Sequence, residues 1–230
     1  MIKRRMTAND RKLAIIKAAL PLFARQGFAE TTTRDLARAA GVSEPLLYKH
    51  FPSKEALYTE IQNYSCQPTD STAQRLSELK PSASTLVHLV YFLTRAIVLG
   101  RPAGTIDWDT KHRLMLKSYL EDGVFARLIH ENRLGCFCSQ IETSLAAATA
   151  AGDAVPSPAS KHNRAYFAHH VGAWLAVVHL PGKPPLDYKV SREELVNQAV
   201  WFTLRGMGLT DKAIATYYNP KALALSFGEV

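Results

Sequence analysis

Residues 33–51, from Thr33 to Phe51, read TRDLARAAGVSEPLLYKHF. Thr33 is suited to cap a short helix carrying Leu36, Ala37 and Ala40, because a threonine hydroxyl can take a first-turn N–H. Gly41 tolerates positive φ and ends that helix. Ser43 caps the next helix, and Pro45 falls in its first turn, where a missing N–H does no harm. Leu47 and Phe51 stand one turn apart on its inner side. Ala37 and Ala40 leave room for the two helices to approach, and Val42 fills the space between them. Two short helices joined by a tight turn form a helix-turn-helix, whose second helix offers its N-terminal residues to a major groove. Helix pairs of this composition also occur inside ordinary bundles.

The flanking residues extend the pattern. Leu13, Ile16, Leu20 and Phe23 recur at spacings of three and four, which predicts a first helix. Gly27 stops it, and Phe28 is placed to fold back onto it. Pro52 and Ser53 break the chain, and a fourth helix begins near Lys54 with Leu57, Ile61 and Tyr64 inward. The rest keeps a helical period without strand alternation. Helices are expected near 69–80, 84–100, 107–119, 121–150, 161–180 and 191–209, with a short one near 211–218. Residues 151–160 and the run PGKPP at 181–185 are expected loops. The fold class is therefore all-α: an N-terminal helix-turn-helix head of three or four helices (residues 1–65) and a larger helical bundle (residues 66–230).

Charge supports the same division. The chain has 230 residues and a net charge of +8. Residues 1–60 hold 11 Lys and Arg against 6 Asp and Glu, a net +5, and the remainder holds +3. A basic head suits a polyanion such as DNA, although a solvated basic surface has the same composition. Cys66, Cys136 and Cys138 form no paired framework, which fits a reducing, cytoplasmic setting. Lys3, Arg4, Arg5 and Arg11 have no apolar stretch behind them, unlike a secretory signal. The most apolar windows, residues 86–100 and 171–180, are too short to span a bilayer, so no membrane partner is expected.

Residues 19–58, ALPLFARQGFAETTTRDLARAAGVSEPLLYKHFPSKEALY, resemble the DNA-binding head of the tetracycline-repressor (TetR) family without gaps. LFARQGF, the threonine pair, AAGVS, LYKHF and SKEAL match that family's pattern at its spacing. The resemblance covers about the first 60 residues; the body is similar only in length and helical character. It implies a homodimer on a pseudo-palindromic double-stranded DNA operator, with an unidentified small-molecule effector in the body. Thr33 would hold a phosphate, and Arg34 would read guanine O6 and N7. Ser43 caps the recognition helix, where Glu44, Pro45 and Leu46 would face base edges. Tyr48, His50 and Lys54 would bond phosphates, and Lys49 either a base or the backbone. Other roles stay open: packing for Tyr48, capping for His50, pairing with Asp35 or Glu30 for Arg34, and burial for Leu46. Lys3, Arg4 and Arg5 form either a minor-groove arm or a solvated tail.

For the body, the candidate effector contacts are Tyr91, Arg95, Trp108, His112, Met115, Phe125, Phe137, His170 and Trp174, each by itself more readily read as plain core. Phe167, Val171, Trp174 and Val178 on one helix, and Leu195, Ala199 and Phe202 on the next, are the candidate dimer face; the family's four-helix interface implies that use. A DNA-binding regulator without a small ligand is one alternative. A metal-binding enzyme is another, but Cys136 and Cys138 diverge on a helix and no partner pair has zinc-like spacing. His112 stands three residues after Asp109, which suits a surface hydrogen bond. No glycine loop, nucleophile elbow or dinucleotide fingerprint is present, so neither a cofactor nor a catalytic residue is expected.

Overall fold

The structure is a computed structural model that describes residues 6–66, 71–100 and 107–226. The N-terminal arm residues Lys3, Arg4 and Arg5 lie outside the described residues. Among those described the fold is all-α, as expected, and the only extended pairing is an isolated antiparallel bridge between Ala154 and Leu209. The helices are α1 (Ala8–Glu30), α2 (Thr33–Ala40), α3 (Glu44–His50), α4 (Lys54–Cys66), α5 (Ser71–Ser77), α6 (Ala83–Val98), α7 (Trp108–Leu120), α8 (Val124–Ile129), α9 (Gly135–Ala150), α10 (Lys161–Val178), α11 (Arg192–Gly206), α12 (Asp211–Tyr217) and α13 (Pro220–Ser226). A π-helical turn, His130–Leu134, separates α8 from α9 within the stretch expected as one helix from 121 to 150. The last helix, α13, was not expected.

The chain forms two compact units. The first holds α1 to α4 together with α7 and α8, so residues 107–130, which the sequence reading counted with the body, join the head. Its core gathers Ile15, Ile16, Leu20 and Phe23 of α1, Leu36 of α2, Leu47 and Phe51, Leu57 and Ile61 of α4, and Leu114 and Phe125. Leu13, placed by its spacing on the inner face, is exposed instead; Ile15 and Ala19 take that side. Burying one such large apolar side chain contributes about 1.5–3 kcal/mol, so this core fixes the short helices, which would be marginal alone.

A break at Gly27 joins α1 to α7. Gly27 adopts φ 81° and ψ 178° inside α1. This conformation frees the N–H of Phe28, which donates to Glu121 Oε2 at 3.1 Å. Phe28 turns back as the sequence implied, with its ring 6.1 Å from Phe23 and 5.0 Å from Tyr58. Burial first, then the carboxylates of Asp122 and Glu121, push the Tyr58 phenol up to about 12.

In the second unit α6 is the axle. Its Leu86, Val87, Leu89, Val90 and Tyr91 are all buried, as befits a helix apolar around its circumference. Helices α9, α10 and α11 pack around it. Gly172 lets α10 approach closely: a Cβ there would lie 3.5 Å from the Thr94 Cα. Arg95 forks onto Glu193, with Nη2 donating to Oε1 at 3.1 Å, which fastens α6 to the start of α11.

Candidate functional site

The helix-turn-helix assembles as the sequence implied, with one shift. Thr32, not Thr33, caps α2: it is extended (φ −93°, ψ 155°), and its hydroxyl oxygen accepts the Asp35 N–H at 3.2 Å. Thr32 also donates to the Asp35 carboxylate at 2.6 Å, and this bond chiefly holds the Asp35 carboxyl below its usual range. Thr33 becomes the first helical residue, so its own hydroxyl is available elsewhere. Gly41 takes the left-handed conformation (φ 64°, ψ 33°), and Val42 N–H closes the turn onto the Ala37 carbonyl at 3.0 Å. Ser43 caps α3 as expected, accepting from Leu46 N–H at 3.4 Å.

The residues singled out for DNA fall into three groups. Glu44 gathers the first: Thr33 donates to its Oε2 at 3.1 Å, and Arg34 Nε lies 3.8 Å from its Oε1. Arg34 therefore pairs with Glu44 rather than with the two carboxylates considered from sequence. This lattice ties the first turn of α2 to the first turn of α3 while leaving the Arg34 side chain exposed. The second group is the outer surface of α3. Pro45, Tyr48 and Lys49 are exposed, and Leu46 and His50 are half-buried. Arg38, not picked out from sequence, is an exposed cation on α2 that pairs with Asp35 at 3.6 Å.

Lys54 is the third case. Its ammonium donates to the carbonyls of Phe28 at 2.9 Å and Thr31 at 3.1 Å and lies 4.2 Å from the centre of the Phe28 ring. Expected to meet phosphate, it instead points inward and clasps α4 to the chain after α1. Carbonyls left bare at the C-terminal end of α1 attract it, and its alkyl stem covers apolar surface on the way. Lys54→Ala is expected to lower the unfolding free energy by about 1–3 kcal/mol. It should leave the salt dependence of any DNA binding nearly unchanged. Urea denaturation and titrations at several salt concentrations measure the two quantities.

The candidate effector contacts divide between the two units. Trp108, His112, Met115 and Phe125 belong to the first unit; Phe125 and Met115 pack in its core, and the Trp108 and His112 rings lie 4.3 Å apart. In the second unit Tyr91 is buried, Phe137 stacks on Phe92 at 5.9 Å, and Arg95 is committed to Glu193. His170 and Trp174 face solvent. A list of aromatic residues carries no information on which of two cores each enters.

The dimer candidates divide as well. Phe167 (56% exposed), Trp174 (63%) and Phe202 (64%) stand on the surface, joined by Trp201 (49%), which the sequence stripe passed over. Val171 is half-buried. Val178, Leu195 and Ala199 are buried within their own unit, which removes them from any outer face. Cys136 is exposed and Cys138 buried, and burial pushes the Cys138 thiol up to about 11. No helix among the described residues is long and apolar enough to cross a membrane.

Comparisons with known proteins agree with this geometry. Residues 15–61 match the model of bacterial regulatory proteins, tetR family. The chain is 45% identical over 56 residues to the uncharacterized HTH-type transcriptional regulator YerO of Bacillus subtilis, covering 24% of this chain and 19% of YerO. It is 44% identical over 59 residues to the regulator RutR of Escherichia coli, covering 26% and 28%. It is 36% identical over 74 residues to EthR of Mycobacterium tuberculosis, covering 32% and 34%. The matched stretch thus spans about a fifth to a third of these relatives. Solved structures share the fold over a longer range. AibR in complex with isovaleryl coenzyme A and operator DNA aligns with a TM-score of 0.63 at 18% identity, over 84% of this chain and 97% of AibR. The ketosteroid regulator KstR2 of Mycobacterium tuberculosis aligns at 0.62 and 19%, over 87% and 96%. Over residues 15–61 the helix-turn-helix head of this chain is similar to that of the tetR family of bacterial regulatory proteins.

Proposed function

We propose that the chain is a sequence-specific DNA-binding transcription regulator that acts as a homodimer in the cytoplasm. The observation that carries this reading is the outer surface of α3: a capped helix beyond a left-handed glycine turn, with Pro45, Tyr48 and Lys49 exposed and Arg34 beside them. A helix of this form suits a major groove, where a guanidinium can bond guanine O6 and N7 together. In this reading Tyr48, Lys49 and His50 meet phosphates, Leu46 and Pro45 touch base edges, and Arg34 leaves Glu44 for a guanine. Glu44 and Thr33 then keep the two short helices in register. Two heads in a dimer fit half-sites about one helical turn apart. The exposed aromatics of α10 and α11 supply the dimer contact.

The proposed control is a small ligand in the body that releases the protein from its operator. Such a ligand acts only through its different affinity for the DNA-bound and DNA-free arrangements. AibR, similar in fold, was crystallised with an acyl coenzyme A and DNA together, which supports looking for a ligand here.

The deciding experiment is binding of the purified protein to the DNA flanking its own gene at two salt concentrations, with a random duplex as competitor. Selective, salt-sensitive binding is expected. Lys49→Ala should reduce the salt slope by about one, and Arg34→Ala should relax preference at one base position at a cost of about 1–3 kcal/mol. Equal affinity for every duplex in a genome-wide selection would overturn the reading.

A further inference from the structure

A second site lies away from the helix-turn-helix, wholly within the second unit. Between the end of α9 and the start of α10, the chain leaves an open cleft of about 490 Å³. Ala146 and Ala150 of α9 form one wall, Pro156 and Ala159 of the connecting loop form the other, and Lys161 and Arg164 of α10 close the end. The loop is held in place: Val155 N–H donates to the Gly208 carbonyl at 2.8 Å, and Thr210 N–H donates to the Asp153 carbonyl at 2.9 Å. These bonds frame the Ala154–Leu209 bridge. A side chain at Gly208 would meet the Val155 carbonyl at 3.1 Å and Arg164 Nη1 at 3.4 Å, so the small residue allows this approach.

The charge in the cleft is unbalanced. Arg164 is only 6% exposed. Its Nη1 donates to the Met207 carbonyl at 2.7 Å, and its Nε has no hydrogen-bond partner. Among the described residues no carboxylate pairs with it, and no residue lining the cleft is acidic. A guanidinium carries five N–H donors, and a buried charge is costly unless paired. The carbonyl at the end of α11 offsets part of that cost. Lys161 adds an exposed ammonium beside it. Helix α10 is 18 residues long, and its cap Ser160 takes only the Asn163 N–H, at 3.1 Å. The N–H groups of Lys161 and His162 thus stand at the positive end of a long helix, where no carbonyl of the helix can reach them. The Nε is sealed from solvent, so the rest of the guanidinium meets the cleft, where Arg164, Lys161 and the cap Ser160 line one largely apolar-walled space.

We propose that this cleft binds a small anion: a compact oxyanion head, carboxylate or phosphate, at Lys161 and Arg164, with any apolar remainder against the alanine and proline walls. The site is independent of DNA recognition, and the proposal stands or falls without it.

The test is calorimetric titration of the full chain with inorganic phosphate and, separately, with butyrate, at fixed ionic strength set by chloride. At least one of the two should saturate with a dissociation constant of about 1 mM or tighter. Saturation by phosphate alone or by butyrate alone supports the site and identifies its head group. Lys161→Glu changes only an exposed side chain and should leave helicity and thermal stability unchanged while weakening the affinity by roughly tenfold. Arg164→Gln should abolish saturation, but it also loosens the clasp on Met207. The lysine variant therefore separates anion binding from a purely structural arginine. Neither anion saturating below about 10 mM, or equal affinity in Lys161→Glu, would overturn the proposal.

Discussion

Replacing Gly27 with alanine is expected to lower the unfolding free energy by about 2–4 kcal/mol, a large share of the stability of a domain of this size. Two effects add. The backbone there, φ 81° and ψ 178°, is a conformation open to little but glycine. An added Cβ would also lie 1.8 Å from Glu121 Oε1. The carboxylate can swing away, but doing so breaks its bond to Phe28 N–H, costing about 1 kcal/mol. Gly123→Ala is the control: Gly123 has φ 69° and ψ 1°, with nothing within 4 Å of an added Cβ. That change should cost only about 1–2 kcal/mol, the ordinary left-handed penalty. A cycle with Glu121→Ala isolates the steric part, because the double variant should lose less than the sum of the single changes. Urea denaturation gives each value. Gly27→Ala with wild-type stability would mean that the break in α1 does not persist in solution.

If the proposed dimer forms through α10 and α11, Trp174→Glu is expected to turn it into monomers at micromolar concentration and to abolish tight operator binding. Trp174, Phe167, Trp201 and Phe202 present large apolar area to solvent on two helices that pack side by side. Such patches mark interaction surfaces, and tryptophan is among the residues that dominate them. In a two-fold interface every substitution occurs twice. A loss of roughly 2 kcal/mol at each copy weakens association about a thousandfold. Sedimentation velocity reads the oligomeric state, and circular dichroism should stay unchanged, because the side chain is not part of the core. Val178→Ala provides the contrast: it opens a void in a buried position and should lower stability without altering association. If Trp174→Glu sediments as the wild-type chain does, the dimer face lies elsewhere.

The head was legible because its signals are local. A glycine that must turn left, serine and threonine caps and a proline in a first turn act within a few residues of themselves. Gly41, Ser43 and the inward Leu47, Phe51, Leu57 and Ile61 accordingly stand where the sequence implied. Two local readings missed: Leu13 is exposed rather than inward, and Thr33 for Thr32 as the cap of α2 is a shift of one between adjacent threonines. Lys54 could not be read in the same way. Its partners, the carbonyls of Phe28 and Thr31 at the end of α1, are 26 and 23 residues away. In the body, a helical stripe of apolar residues tells which side is greasy but not what covers it. Val178, Leu195 and Ala199 met their own core, while Phe167, Trp174 and Phe202 from the same stripes, and Trp201 beside them, did not.

By itself, then, the sequence determined the all-α class, the caps and turns of the helix-turn-helix and its family likeness, since each depends on backbone preferences and periodicities spanning one or two turns. Only the tertiary structure decided that α7 and α8 join the head, that Lys54 is a clasp, and that Arg164 sits under-paired in a cleft. It also decided which aromatics remain outside. Each of these depends on which distant segment arrives at a given surface, and that is settled by competition among many similar apolar faces for a limited core.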